Sequence, residues 1–216
     1  MRDYRYLRER MVRDHIAARG VADERVLAAL REIPRHEFVP EHLRTQAYTD
    51  HALPVAGGQT ISQPYVVARM TELLGVEPAH SVLEIGTGTG YQTAVLARLA
   101  RRVYSLERVP ELAREAIARM RDMGYDNVKI QVFDGTVGWS EVAPFDRILV
   151  TAGAPAAPQP LLDQLAAGGR MVIPEGDRQA QRLMVYEKDA EGRVSASAHD
   201  PVAFVPLVGR HGWDSE

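Results

Sequence analysis

A strand-like run that ends in a glycine-rich loop is the feature that most restricts how this chain can fold. SVLEI (81–85) is short and apolar, GTGTG (86–90) follows it directly, and a helical pattern comes next. Similar apolar runs then alternate with helical segments, at VYSLE (103–107), KIQVF (129–133), FDRILVT (145–151) and RMVIP (170–174). This alternation predicts a parallel sheet with helices on both faces.

The C-terminal part of the chain predicts a different strand arrangement. RLMVYEK (182–188) and VSASA (194–198) flank DAEGR, which is typical of a hairpin loop. We therefore expect the last strands to be antiparallel, and their order in the sheet is left open.

The N-terminal part predicts helices that cover the sheet. Apolar residues at helical spacing indicate a first helix over 4–19, which Gly20 stops. A second helix is expected between Asp23, which caps it, and Pro34. Residues 34–58 look irregular, and another helix is expected from Pro64 to Leu74.

The fold class that follows is α/β: a doubly wound, mostly parallel sheet with antiparallel C-terminal strands and an N-terminal helical cap. The chain has 216 residues, which is within the range of one α/β domain. We expect a single domain over 1–216. Within it we expect a helical and irregular cap (1–58), a cofactor-binding core (59–180) and C-terminal strands (181–216).

Composition excludes several classes of function. The chain contains no cysteine, which removes disulfides, thiolate zinc sites and thiol catalysis. Its formal net charge is −3, so no overall basic excess indicates nucleic acid. No apolar run approaches the roughly 18 residues of a membrane span, and the charged N-terminus is unlike a secretory signal. We expect a cytoplasmic monomer that binds neither nucleic acid nor membrane.

The glycine loop predicts a ligand at the end of the first strand of the alternating pattern. Glycines allow close approach to the backbone, and ligands of such sheets bind at the carboxyl ends of strands. The dinucleotide motif G-x-G-x-x-G does not fit, because Tyr91 occupies its sixth position. Glu84 would repel a pyrophosphate but suits a cationic group, so S-adenosylmethionine, with its ammonium and sulfonium, is favoured. An ordinary tight turn is the alternative.

Two acids at strand ends fit the same ligand. Glu107 follows Gly86 by about 20 residues, the spacing at which a carboxylate accepts hydrogen bonds from ribose hydroxyls. Asp134 ends the next strand in FDG (133–135), where its carboxylate would lie near the adenine amino group. The alternatives are a solvated glutamate and a turn aspartate.

Several segments then resemble one enzyme family. VLEIGTGTGYQTAVLA resembles the first cofactor motif of class I methyltransferases, whose fold is Rossmann-like. GQTISQPYVVARMTELL is similar to the more specific signature of protein-L-isoaspartate O-methyltransferases. The match covers roughly residues 20–210, and the remaining segments that carry it are VLAALREIPRHEFVP (26–40), APFDRILVTAGAP (143–155), LAAGGRMVIPEG (165–176) and FVPLVG (204–209).

The resemblance implies methyl transfer from S-adenosylmethionine, which leaves S-adenosyl-L-homocysteine. The acceptor is the free α-carboxylate of L-isoaspartyl, and also D-aspartyl, residues in damaged proteins and peptides, and the ester then closes to a succinimide. Phe133 stands where the family usually has glycine, whereas Asp134 itself is kept, so the adenine contact is expected to be retained. The cofactor-binding residues expected in this chain are Glu84, Gly86, Thr87, Gly88, Glu107, Arg108, Asp134 and Gly135.

The hydroxyls of Thr60 and Ser62 are the candidate catalytic groups. The resemblance places Ser62 at the family's active-site position. An ionised acceptor carboxylate needs no general base, since such groups titrate near 3.5–4. Neutral hydroxyls would aim it at the methyl group. The alternative for Ser62 is a helix N-cap, because Pro64 suits a first helical turn.

The sequence also bears on a metal site, on the substrate cleft and on alternative functions. His36, His42 and His51 do not have the spacing of a zinc motif, so we expect no metal. Pro54, Val55 and the TAGAP loop (151–155) are expected to form part of the substrate cleft. A nucleotide-dependent oxidoreductase and a non-catalytic cofactor-binding module are the other classes considered, and a methyltransferase with a small-molecule acceptor is the nearest rival.

Overall fold

A seven-stranded sheet lies at the centre of the computed structural model, which describes residues 4–55 and 58–214. A separate antiparallel pair of two-residue strands precedes it in the chain. In chain order the strands are β1 (Leu53–Pro54), β2 (Thr60–Ile61), β3 (Ser81–Ile85), β4 (Arg102–Glu107), β5 (Val128–Val132), β6 (Phe145–Val150), β7 (Leu165–Gly176), β8 (Gln181–Lys188) and β9 (Val194–Val202).

The strand order of the large sheet is β5-β4-β3-β6-β7-β8-β9. Neighbours from β5 to β7 are parallel, and the β7-β8 and β8-β9 pairs are antiparallel. The chain therefore moves outward from β3 to one edge, returns to β6, and continues to the other edge. The reversal places the topological switch point between β3 and β6, where ligands of such sheets bind.

Six α-helices accompany these strands in the described residues. They are α1 (Tyr4–Arg10), α2 (Glu24–Glu32), α3 (Pro64–Leu74), α4 (Tyr91–Leu99), α5 (Pro110–Asp122) and α6 (Gln159–Asp163). Shorter 3-10 turns lie at Arg35–Phe38, Glu41–Gln46, Gly135–Val137 and Ser140–Val142. Asp23 caps α2 as expected, because its side chain accepts hydrogen bonds from the backbone of Arg25 and Val26.

The core lies on both faces of the sheet. Because side chains alternate along a strand, Val82 of β3 faces one side and Leu83 the other. The first side packs against α3, α4 and the N-terminal helices, in one hydrophobic cluster that includes Ile16 and Leu30. The second side packs against α6 and the turns around Trp139. The division into cap, core and C-terminal strands stays a prediction.

The predicted fold class is confirmed, several details differ, and the strand order that was left open is now known. The expected helix over 4–19 is α-helical only at Tyr4–Arg10; Met11–Ile16 is a π-helix and Ala17–Arg19 a 3-10 turn. Apolar spacing does not distinguish these neighbouring helical forms. β7 and β9 extend beyond RMVIP and VSASA, and the last strands follow in sequence order. β1, β2 and α6 are too short for periodicity to reveal.

Across residues 4–55 and 58–214, no helix combines the length and apolarity needed to cross a membrane. The same described residues contain no group of three or more His, Asp or Glu side chains arranged to hold a metal ion.

Candidate functional site

A cavity opens at the carboxyl edge of the sheet, beside the switch point between β3 and β6. Four segments line most of it: residues 59–62 before α3, 85–89 at the end of β3 and in the glycine loop, 106–109 at the end of β4 and just after it, and 204–208 near the C-terminus. Gly135 and Thr151, which follow β5 and β6, add to the wall. Eight of the ten predicted site residues line this cavity, namely Thr60, Ser62, Gly86, Thr87, Gly88, Glu107, Arg108 and Gly135.

The glycine loop needs glycine for two different reasons. At Gly86, with φ +95°, a Cβ would lie 2.4 Å from Thr151 Oγ1, which donates a hydrogen bond to the Gly86 carbonyl at 2.7 Å. At Gly88, with φ +54°, a Cβ would meet no atom of the described residues within 4 Å. Gly86 is therefore required by packing beneath the loop, whereas the space at Gly88 is open to a ligand.

Glu107 joins the glycine loop to the end of β4. Its Oε2 accepts the N–H of Gly88 at 2.9 Å, and its Oε1 accepts the N–H of Val109 at 2.9 Å. Each carboxylate oxygen has further acceptor capacity. The side chain is held rigidly at the cavity wall and is suited to accept hydrogen bonds from the hydroxyls of a ligand.

Glu84 lies below the loop and does not line the cavity. It is fully buried, and its Oε2 accepts hydrogen bonds from Thr93 Oγ1 and Ser105 Oγ, both at 2.6 Å. Its Oε1 has no hydrogen-bond partner among the residues that the structure describes. Burial raises the pKa of this carboxyl to about 7. Its expected contact with a cationic ligand group stays a prediction.

Asp134 also does not line the cavity, although the adjacent Gly135 does. Its Oδ1 accepts from the Thr136 backbone at 2.9 Å and from the Thr136 hydroxyl at 2.7 Å. Its Oδ2 accepts the N–H of Arg210 at 2.8 Å. These hydrogen bonds lower the pKa of Asp134 despite its partial burial, which acts in the opposite direction. The proposed adenine contact of Asp134 stays a prediction.

Ser62 and Thr60 reach the cavity from the segment before α3. Ser62 is partly buried and Thr60, on β2, is exposed. The capping alternative for Ser62 is wrong, because the N-cap position of α3 is Gln63, whose side chain makes no capping hydrogen bond. The N–H of Tyr65 in the first turn donates instead to Asp50 Oδ1 at 3.2 Å.

A C-terminal segment, residues 204–208, completes the cavity, although no site role was predicted for it from the sequence. Residues 204–208 lie along the cavity wall, and Gly153 exchanges hydrogen bonds with Val205 and Leu207, both at 2.8 Å. Trp213 Nε1 donates to the Gly153 carbonyl at 3.0 Å. FVPLVG was the available signal, but its position over the site depends on contacts distant in sequence.

The predicted substrate-cleft residues are only partly at the cavity. Thr151 and Ala152 of the TAGAP loop line it, whereas Pro54 and Val55 do not. His36 is engaged elsewhere, since its Nδ1 shares a hydrogen bond of 2.6 Å with the Tyr48 hydroxyl.

Comparison with known proteins identifies the family. Residues 7–212 match the family model for protein-L-isoaspartate(D-aspartate) O-methyltransferase (PCMT). The chain belongs to this family. The resemblance predicted from the motifs is therefore confirmed. The chain is 53% identical over 214 residues to protein-L-isoaspartate O-methyltransferase 1 of Syntrophobacter fumaroxidans, covering 99% of this chain and 100% of that protein.

Other similar proteins and solved structures carry the same family name. Protein-L-isoaspartate O-methyltransferase of Methanoculleus marisnigri is 52% identical over 209 residues, covering 97% of this chain and 94% of that protein. A solved protein-L-isoaspartate O-methyltransferase superposes with a TM-score of 0.83 at 30% identity, covering 95% of this chain and 67% of the other. A Plasmodium falciparum structure described as a complex with S-adenosyl-L-homocysteine gives 0.78 at 25% identity, with 93% and 98% coverage.

Proposed function

We propose that this chain transfers a methyl group from S-adenosylmethionine to the free α-carboxylate of L-isoaspartyl and D-aspartyl residues in damaged proteins and peptides. Its membership of the PCMT family supports this reaction. One structural observation carries the assignment of the site: the hydroxyls of Ser62 and Thr60 share a cavity with the Gly88–Glu107 pair.

The residues at the glycine loop fit S-adenosylmethionine. The open space at Gly88 lets a ligand approach the backbone, and Glu107 has acceptor capacity for two ribose hydroxyls. Thr87 and Arg108 lie in the same two segments and border this part of the cavity. When bound, the cofactor supplies a methyl group on a sulfonium, which is electrophilic without help from the protein.

Substrate alignment is the task assigned to Ser62 and Thr60. The acceptor carboxylate is ionised at neutral pH, since its pKa is near 3.5–4. The hydroxyls of these two residues donate hydrogen bonds that hold one carboxylate oxygen in line with the methyl group. Holding two reactants in this geometry supplies roughly 7–11 kcal/mol in favourable cases. A neutral donor also leaves the carboxylate more nucleophilic than an ion pair would.

Exclusion of water is the task assigned to the C-terminal segment. Residues 204–208 line the same cavity as Ser62 and are joined to Gly153 by backbone hydrogen bonds. Water removal strengthens the electrostatic interactions within a site. We further propose that the protein acts as a cytoplasmic monomer on isoaspartyl-containing proteins and peptides, without nucleic acid or membrane partners.

The test uses two synthetic peptides that differ only in one aspartyl linkage, normal or isoaspartyl. Each is incubated with methyl-labelled S-adenosylmethionine, and cofactor binding is measured separately by calorimetry with S-adenosyl-L-homocysteine. Label on the isoaspartyl peptide alone, released as methanol by mild base, is the expected result. If the chain binds S-adenosyl-L-homocysteine but labels neither peptide, the substrate assignment is contradicted and a small-molecule acceptor is favoured.

A further inference from the structure

Arg35 lies directly behind Ser62, outside the residues that line the cavity. Its Nη2 donates to the backbone carbonyl of Ser62 at 2.7 Å, and its Nε donates to the carbonyl of Ala47 at 2.8 Å. One guanidinium therefore joins Ala47, in the irregular N-terminal stretch, to Ser62. The planar fork of arginine suits this bridging, because its donors keep fixed directions.

The positive charge of Arg35 is buried without a carboxylate ion-paired to it in the described residues. The side chain is fully buried, and neither its Nη1 nor the neighbouring Tyr91 hydroxyl has a hydrogen-bond partner of normal geometry in the described residues, although that hydroxyl favours the charged guanidinium. Burial lowers the pKa of the guanidinium to about 10, so it is still charged at neutral pH. Asp50 is a carboxylate that favours this charge, but Asp50 is already ion-paired with Arg19 at 2.7 Å.

Tyr91 covers the other side of the same guanidinium. The Arg35 Cζ lies 4.8 Å from the centre of the Tyr91 ring, an arrangement in which the ring face stabilises a cation. Tyr91 is the first residue of α4, immediately after the glycine loop, and it lines the cavity. Arg35 therefore contacts two residues that line the cavity, Ser62 before α3 and Tyr91 after the glycine loop.

A purely structural role would leave this arrangement unexplained. Burying a charge without an opposite charge is costly, and an apolar side chain of similar volume is often no less stable. The acceptor of the proposed reaction is a carboxylate that must enter the cavity on the other side of Ser62. Its negative charge is the complement that the buried guanidinium lacks.

We propose that Arg35 is a positioning residue for methyl transfer: it fixes Ser62 through its carbonyl and favours the acceptor carboxylate without touching it. The inference rests on the proposed function. The Ala47 and Ser62 carbonyls hold the guanidinium in place. The acceptor carboxylate therefore contacts the neutral Ser62 hydroxyl and does not form an ion pair with Arg35. The carboxylate gains electrostatic stabilisation and keeps its nucleophilicity.

The experiment compares Arg35→Met, which keeps the volume and removes the charge, with Arg35→Lys, which keeps the charge. Arg147→Met is the matched control: Arg147 is partly buried and donates to the Gly75 and Asp146 carbonyls at the amino edge of the sheet, away from the cavity. For each variant, affinity for S-adenosyl-L-homocysteine is measured by calorimetry, and kcat and KM with the isoaspartyl peptide. Each Arg35 variant is also combined with Ser62→Ala.

We expect Arg35→Met to bind S-adenosyl-L-homocysteine within about twofold of the unaltered chain and to lose at least about tenfold in kcat/KM, with a raised KM for the peptide. Arg35→Lys should recover most of the KM. In the Ser62→Ala background, the loss caused by Arg35→Met should be smaller than in the unaltered background, because the part transmitted by the Ser62 hydroxyl is already lost and only the electrostatic part remains. Arg147→Met should leave kcat/KM unchanged.

Equal losses in both backgrounds, an unchanged kcat/KM for Arg35→Met, or the same loss in Arg147→Met would overturn the inference. If Arg35→Met does not fold, Arg35→Lys replaces it in the double-mutant comparison, with loss of kcat as the expected result and additivity with Ser62→Ala as the contradicting one. Absence of methylation by the unaltered chain is a different result. It refutes the proposed function, and this inference with it.

Discussion

Asp50 caps the helix that Ser62 precedes: its Oδ1 accepts the N–H of Tyr65 at 3.2 Å. Its Oδ2 accepts hydrogen bonds from the Gln63 side chain at 2.8 Å and from Arg19 at 2.7 Å. A carboxylate from the preceding loop thus performs the task that a serine at this position would ordinarily perform. Because the helix does not need its hydroxyl, Ser62 is available to the cavity.

Ser62→Ala should therefore separate catalysis from stability. We expect the free energy of unfolding to change by less than about 1 kcal/mol, since no capping hydrogen bond is lost. Loss of one donor to the acceptor carboxylate should lower kcat at least about tenfold. Urea unfolding and steady-state kinetics with the isoaspartyl peptide measure the two effects. A large loss of stability with normal kcat would contradict this assignment.

Asp50→Ala should show the opposite balance. It removes the acceptor for Tyr65 and a partner of Arg19, so we expect a loss of about 1 kcal/mol or more in unfolding free energy. Its effect on kcat should be smaller than that of Ser62→Ala. The same two measurements test it, and the idea fails if Asp50→Ala unfolds at the same urea concentration as the unaltered chain.

Glu107→Gln should weaken cofactor binding. The amide keeps one acceptor oxygen, but its NH₂ group must then face the N–H of Gly88 or Val109. Hydrogen bonds to a charged group contribute about 1.5–3 kcal/mol, which corresponds to roughly 10- to 150-fold in affinity. Calorimetry with S-adenosyl-L-homocysteine should show that loss, while Glu141→Gln, at an exposed position, should show none. Equal affinities for the two variants would contradict the role of Glu107.

Glu84 should make stability depend on pH. Its pKa is raised by burial to about 7 from 4.5, so the folded state binds this proton more tightly than the unfolded state. Between these values the unfolded state carries fewer protons, and the free energy of unfolding must fall as pH rises. The stabilising effect of the proton is present near pH 4.5 and is lost through pH 7.

Glu84→Gln should remove that dependence. Glutamine has nearly the same shape and does not titrate. The unfolding free energy of Glu84→Gln minus that of the unaltered chain should therefore rise by a few kcal/mol between pH 5 and 8. The absolute stability at one pH is less informative, because the amide changes the hydrogen bonds with Thr93 and Ser105. Urea midpoints at several pH values measure the difference. A constant difference across this range would show that Glu84 is ionised in the folded protein.

Local patterns predicted the central fold because they depend on neighbours in the chain. The run SVLEI, the glycine loop and the acid at Glu107 are each recognisable within a few residues. Their positions at the carboxyl edge then follow from the parallel arrangement. This is why most predicted site residues share one cavity.

The remaining details depend on contacts between distant segments. Nothing in the residues near Arg35 indicates that its guanidinium binds the carbonyl of Ser62. Asp134 and Arg210 are joined only because the C-terminal segment crosses the edge of the sheet. Asp50 replaces Ser62 as the helix cap for the same reason. Periodicity and motif spacing contain no information about such pairs.

The glycine loop offers a test that separates backbone strain from blockage of the site. Gly88 and Gly124 both have left-handed backbones, with φ +54° and +77°, and in the described part of the chain a Cβ at either would meet no atom within 4 Å. Alanine in this conformation costs roughly 1–2 kcal/mol at each position. Gly88 lines the cavity, whereas Gly124 follows α5 and does not.

Gly88→Ala and Gly124→Ala should therefore lose similar stability but differ in cofactor binding. The methyl group at Gly88 enters the space where the ligand must approach the backbone, so affinity for S-adenosyl-L-homocysteine should fall at least about tenfold. Gly124→Ala should bind it as tightly as the unaltered chain. Thermal unfolding without ligand measures the strain, and calorimetry measures the affinity. If the two variants bind equally well, the open space at Gly88 is not part of the cofactor site.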